Sequence, residues 1–313
     1  MNHRVMAGAI AASLAFVSPA LAADPEGCRT IRMFDPGWTD ITSTNAIAGT
    51  LLTALGYAPD IKTLSVPIGY QSFKNKEIDV FLGNWMPAQQ KFIDDLTAAE
   101  AIEVVTKNLE GAKFTLAVPT YVAEAGVKDF ADLSPNADKF GREIYGIEPG
   151  APANQNMTKM IASGDFGLTG WSVVESGEQA MLAQVKRAER SKDWIVFLAW
   201  APHPMNTRFD ITYLSGGDAY FGPNYGGAEV YTLAQTGWTA KCPNAAGFFK
   251  NLVFDIDAEN AMMDLILNEG AEPEAAAKTW LTAHPDQVAT WLDGVTTLSG
   301  EPGLPAVKEA LGM

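Results

Sequence analysis

The sequence predicts an α/β fold in two lobes, and three observations lead there. Short segments rich in β-branched and aromatic residues alternate with helical patterns through most of the chain. About 290 residues follow an N-terminal leader, which suits roughly two domains. Cys28 and Cys242, the chain's 2 cysteines, stand far apart in sequence. A bridge needs their α-carbons within about 7 Å, so the early and late parts would be neighbours and the middle a separate lobe. The expected boundaries are 23–112 with 229–313 for lobe one, and 113–228 for lobe two, with two strands crossing between them.

The elements follow in order. Arg4 precedes an apolar run from Val5 to Val17, and Ala20-Leu21-Ala22 closes it with small residues. This reads as a secretory signal peptide, residues 1–22, cut after Ala22. The run is shorter than the roughly 20 residues needed to span a bilayer. Cys28 is not at the cleavage site, so no lipoprotein anchor is indicated. Arg29 to Phe34 reads as the first strand, Thr44 to Leu55 as a helix stopped by Gly56, and Ile61 to Val66 as the second strand. Ile78 to Leu82, Lys113 to Val118, Ile144 to Ile147, Trp194 to Leu198 and Glu229 to Ala234 read as further strands. Gly177 to Arg190 reads as a helix, and the chain beyond Ala258 reads mainly as helices.

Composition excludes some functions. The formal net charge is −15. Such a surface repels phosphate backbones, so nucleic acid is not an expected partner. A cationic ligand is compatible with it. In an oxidising compartment the two cysteines read as one disulfide, contributing up to about 5 kcal/mol in the chain-entropy model. No P-loop, HExxH or GxSxG is present. His3 leaves with the leader, so a metal site would have only His203 and His284 plus carboxylates. His284 reads as a surface residue, and His203, between two prolines, as a packed turn residue or a support for a site. Neither a metal nor a cofactor is expected, and the chain does not read as an enzyme.

Three tryptophans stand out. Trp38, Trp85 and Trp200 each fall just past a predicted strand, beside Gly or Pro, where open α/β sheets bind ligands. Trp171, Trp194, Trp238, Trp280 and Trp291 sit in or next to apolar patterns and read as packing. A quaternary ammonium has no N–H to donate, so hydrogen bonds cannot select it. Aromatic faces can, by cation–π attraction of about 0.5 to 2 kcal/mol per ring, strongest for Trp. Asp40, two residues past Trp38, supplies counter-charge or accepts a hydroxyl hydrogen bond. A sugar or amino-acid binder and a secreted enzyme are the rival classes. An amino-acid site calls for an Arg clamp, and no Arg falls in the candidate segments.

These residues carry a family resemblance. The stretches GWTDI (37–41), KNKEIDVFLGNW (74–85), AKFTLAVP (112–119), IYGIEPG (144–150), APHPMN (201–206) and FGPNYG (221–226) stand in an order and spacing similar to the periplasmic choline-binding proteins of glycine betaine/choline ABC importers. The resemblance implies a type II periplasmic binding protein, with two α/β lobes hinged on two crossing strands and closing on the ligand. It implies an ammonium box formed here by Trp38, Trp85, Trp200 and Phe114, with Asp40 at the ligand hydroxyl. It also implies a periplasmic monomer serving an inner-membrane permease and its ATPase. Two positions depart from the family pattern. Phe114 stands where the family has tyrosine, and Ala151 where it has asparagine, with Asn154 nearby as a possible substitute. The cation half of the site is kept and the tail half altered. Choline therefore competes as ligand with glycine betaine, carnitine and dimethylsulfoniopropionate.

Overall fold

A computed structural model describes residues 23–313, so the expected signal peptide and its expected cleavage point lie outside the described residues. Nine strands form one curled sheet. They are β1 (Thr30–Asp35), β2 (Ala58–Thr63), β3 (Val80–Met86), β4 (Ile102–Pro119), β5 (Glu143–Tyr145), β6 (Ser172–Val174), β7 (Phe197–Ala201), β8 (Ile211–Tyr213) and β9 (Gly227–Gln235). The order is β2-β1-β3-β9-β4-β7-β5-β6, with β8 on β4. β1 pairs in parallel with β2 and β3, and β5 with β6 and β7, as α/β units require. β4 and β9 run antiparallel from Ile102↔Gln235 to Lys113↔Gly227 and carry the chain between the two halves. The fold is thus the two-lobed α/β architecture that the alternation of elements predicts. The boundary expected at 112/113 falls inside β4, and that at 228/229 near the start of β9.

The first lobe is built around helix α1 (Thr39–Ala54). Most of its side chains from Thr39 to Leu52 are buried. Helices Ile256–Leu267, Pro273–Ala283 and Gly303–Leu311 enclose it, so the late chain completes the lobe that the early chain begins. Cys28, just before β1, is bonded to Cys242, past the end of β9, with α-carbons 5.8 Å apart. That bridge fixes the return of the chain at the end of β1 away from Trp38. Among the described residues, no helix is long and apolar enough to cross a membrane.

Two sequence expectations need correction. Trp85 and Trp200 lie inside β3 and β7, not past their ends. The strand expected to end at Leu82 meets Gly83, which makes room for a neighbour: an added β-carbon would sit 2.7 Å from the Ile41 side chain. The strand therefore continues to Met86. The segment expected at Lys113 to Val118 is the second half of an 18-residue β4. Its first half escapes notice because the pairing with β9 slips at three places, breaking the alternation of faces.

Candidate ligand site

The site is assembled from strand ends and helix starts. Phe114 on β4 pairs directly with Trp200 on β7, which puts the two side chains on the same face of the sheet. Trp85 from β3 meets Phe114 edge-on, with ring centroids 6.3 Å apart and planes at 83°. Trp38 begins α1. It is placed by a turn in which Gly37 adopts φ +89 and donates its N–H to Asp35 at 2.7 Å. Trp38, Asp40, Trp85, Phe114, Ala151 and Trp200 all line one cavity of about 440 Å³, open solvent at its mouth included. Ala88, Gln89, Ile147, Pro152, Ala153 and Leu198 complete the lining, which is almost wholly apolar. The four rings are only 5–7% exposed, so the two lobes stand closed around the cavity.

Each ring is held in place. The Trp85 indole N–H donates to Asp40 Oδ2 at 3.0 Å. The Trp38 indole N–H donates to Glu148 Oε2 at 2.9 Å, across the cleft. Trp200 packs against the edge of His203, 4.8 Å between centroids. His203 is held in turn by the Met205 N–H on Nδ1, 2.8 Å, and by Glu178 at Nε2, 3.2 Å. His203 thus supports the site, one of the two roles its sequence context allows, and His284 is exposed. The FGPNYG stretch backs Phe114. Phe221 stacks edge-on against it at 5.6 Å, and Gly226 passes so close that any β-carbon would collide with the Phe114 carbonyl. Only glycine fits there.

Asn154 does not line the cavity. Its amide is spent on the IEPG loop: Oδ1 accepts from Ile147 N–H, and Nδ2 donates to the Ile147 and Glu148 carbonyls, each at 3.0 Å. It shapes the wall at Ile147 and Ala151 and leaves no group for a ligand. Ala151, which does line the cavity, offers it only a methyl.

Electrostatically the site is acidic and lacks a protein cation. Asp40 is the only ionisable side chain in the lining. It is 2% exposed, and its Oδ1 has no hydrogen-bond partner. Burial, reinforced by the carboxylate of Glu178, pushes its carboxyl up to about 8. Burial also raises Glu148 and Asp35 above the ordinary carboxylate range. What the site lacks is positive charge, and a cation supplied by a ligand would relieve all three acids. Among the described residues no group of three His, Cys, Asp or Glu is placed to hold a metal ion. Glu148, Glu178, Gln89, Ile147 and Leu198 went unread in the sequence. Ile147 and Glu148 lay in a noticed motif without a role, because side chains of this kind become meaningful only when the other lobe reaches them.

Comparison with known proteins gives a consistent picture. The family model described as substrate binding domain of ABC-type glycine betaine transport system matches residues 29–283. A solved ABC-transporter choline binding protein in complex with choline is 53% identical. It superposes with a TM-score of 0.91, covering 92% of this chain and 100% of that one. The unliganded semi-closed form of an ABC-transporter choline binding protein, also 53% identical with the same coverage, superposes with a TM-score of 0.85. The glycine betaine/carnitine transport binding protein GbuC of Listeria monocytogenes serotype 1/2a (strain 10403S) is 33% identical over 162 residues, 50% of this chain and 51% of that protein.

Proposed function

The chain belongs to the family of substrate-binding domains of ABC-type glycine betaine transport systems, and from that premise we propose that its ligand is choline or a close onium relative with an uncharged tail. It is the substrate-binding component of a glycine betaine/choline ABC transporter. One observation carries the ligand reading. Four aromatic rings and a buried, half-unpartnered Asp40 surround a cavity that contains no lysine or arginine. A trimethylammonium head gains cation–π attraction from the rings and charge from Asp40, and its methyl groups fill apolar surface. A hydroxyl tail meets the free Oδ1. A carboxylate tail meets Asp40 with no basic side chain in the lining to compensate.

Capture involves no chemistry on the ligand. Trp38, Asp40 and Trp85 hold it from the first lobe, and Phe114, Trp200 and Ala151 from the second. Only the closed form makes all these contacts, so ligand moves the population towards it. The closed monomer then delivers its load in the periplasm to a permease coupled to an ATPase.

A second reading, a zwitterionic betaine, is favoured by one feature. Helix Pro152–Ser163 starts at the cavity wall without a side-chain cap, and free backbone N–H groups at such a start attract a carboxylate. Calorimetry with choline, acetylcholine, glycine betaine, carnitine and dimethylsulfoniopropionate separates the two. Choline should bind most tightly, and Trp85→Ala should weaken it at least tenfold. Tighter binding of glycine betaine than of choline would replace the first reading by the second, and wild-type affinity in Trp85→Ala would dispose of the box.

A further inference from the structure

Two carboxylates outside the cavity bind the lobes to each other at the ring-bearing start of α1. Helix α1 has no side-chain cap of its own: Trp38 occupies the N-cap position and offers none. The cap comes instead from the opposite lobe. Glu178 Oε2 accepts the Thr39 N–H at 2.9 Å, and Oε1 accepts the Thr39 hydroxyl at 2.5 Å. Glu148 accepts the Trp38 indole N–H through Oε2. Through Oε1 it takes the backbone N–H of Glu178 at 3.0 Å, itself the first residue of helix Glu178–Ser191. Two helix starts thus face each other across the cleft and share two carboxylates, where anions are favoured by the unpaired N–H groups and the helix dipole.

We propose that Glu148 and Glu178 are positioning residues that set ligand affinity by latching the first turn of α1, with Trp38 and Asp40 on it, to the second lobe. Neither is among the residues lining the cavity, so they act through Trp38 and α1. The physical reasoning is a balance. Charge-assisted hydrogen bonds favour closure, while removing two carboxylates from water opposes it. Asp35 and Asp40 are further acids close enough for the Glu178 carboxylate to oppose their ionisation, and His203 is the one basic side chain bonded to the pair. Without ligand the two effects nearly offset. A bound cation supplies the missing positive charge and tips the balance to the closed form. The proposal rests on the onium reading only for that last step, since the latch itself is a contact between lobes.

Glu148→Gln and Glu178→Gln test it, each replacing one acceptor oxygen by an amide that cannot accept. The variants should melt, ligand-free, within a degree or two of wild type. Their choline dissociation constants should rise about tenfold or more, with most of the change in the dissociation rate. Spin labels on the two lobes should report longer interlobe distances in both variants, with and without ligand. Thr39→Val combined with Glu178→Gln should weaken binding by less than the product of the single effects, as partners do. Unchanged interlobe distances in both variants would overturn the latch, whatever the ligand. Wild-type protein that ignores every onium, while the variants still open, would sink the ligand reading and leave the latch standing. A large fall in ligand-free melting temperature with unaltered distances would assign the two carboxylates an ordinary structural role instead.

Discussion

Asp40 places one carboxylate oxygen on the Trp85 indole and leaves the other bare in an apolar cavity. Its carboxyl, ordinarily near 3.8, is pushed up to about 8 by burial first and by Glu178 second, with Asp35 adding a little. Glu259, buried on the helix beside α1, is also raised by burial and by Asp40. The sign follows from linkage. Between about 4 and 8 the folded protein holds a proton at Asp40 that the unfolded chain releases, so this group's contribution to stability falls as pH rises through that window. A cationic ligand favours the ionised form. Choline affinity should therefore rise by up to about tenfold per pH unit from pH 6 towards 8 and then flatten, with a proton released on binding. Calorimetry in buffers of different ionisation enthalpy detects that proton, and Asp40→Asn should abolish the slope. A flat profile in the wild type would mean that Asp40 is already ionised when empty. The three tryptophans that line the cavity were legible as residues because all three fall beside Gly or Pro near the carboxyl ends of expected strands, where open α/β sheets bind ligands. Glu178 was not, because its partner Thr39 lies 139 residues away.

Among the elements, the loop and helix start around Ala151 show a local sequence deciding a local shape. Gly146 leaves the space that the Asn154 amide occupies: a β-carbon there would come within 2.3 Å of its Oδ1. Asn154 then fastens Ile147 and Glu148, one at the cavity wall and one at the latch. Asn154→Ala strips these buried backbone groups of their partners. It should cost about 2–4 kcal/mol of stability and weaken onium binding as the wall loosens, measured by denaturant titration and calorimetry on the same samples. Undiminished stability would show that water replaces the amide. Seven of the nine strands overlap a segment expected from periodicity, whereas β6, β8 and helices Val66–Lys74, Gln90–Ala98, Pro152–Ser163 and Pro243–Asn251 had no expected counterpart. Two further departures share a cause. α1 begins at Thr39 where sequence suggested Thr44, because its cap is lent by the other lobe. β4, at 18 residues, is three times the length of the segment expected at Lys113 to Val118, because partner β9, not its own pattern, sustains it through the bulges.

At the scale of the molecule, the Cys28–Cys242 bond ties the start of the chain to its return from the second lobe, 214 residues later. It lies at the end of β1 remote from Trp38, so stability and ligand capture should separate. The double substitution Cys28→Ser/Cys242→Ser should lower unfolding stability by as much as about 5 kcal/mol. The choline dissociation constant should stay within about twofold. A large loss of affinity would show instead that the bridge holds the cleft itself in shape. The sequence by itself determined the α/β class and the pairing of the cysteines and pointed to the four rings that line the cavity, because these depend on periodicity, count and short motifs. Only the tertiary structure decided that Asn154 is spent on its own loop, that Asp40 faces the cavity without a counter-ion, and that one lobe caps the helix of the other. The reason is physical: hydrogen-bond satisfaction and charge balance are properties of what surrounds a side chain, and here the surroundings come from distant parts of the chain.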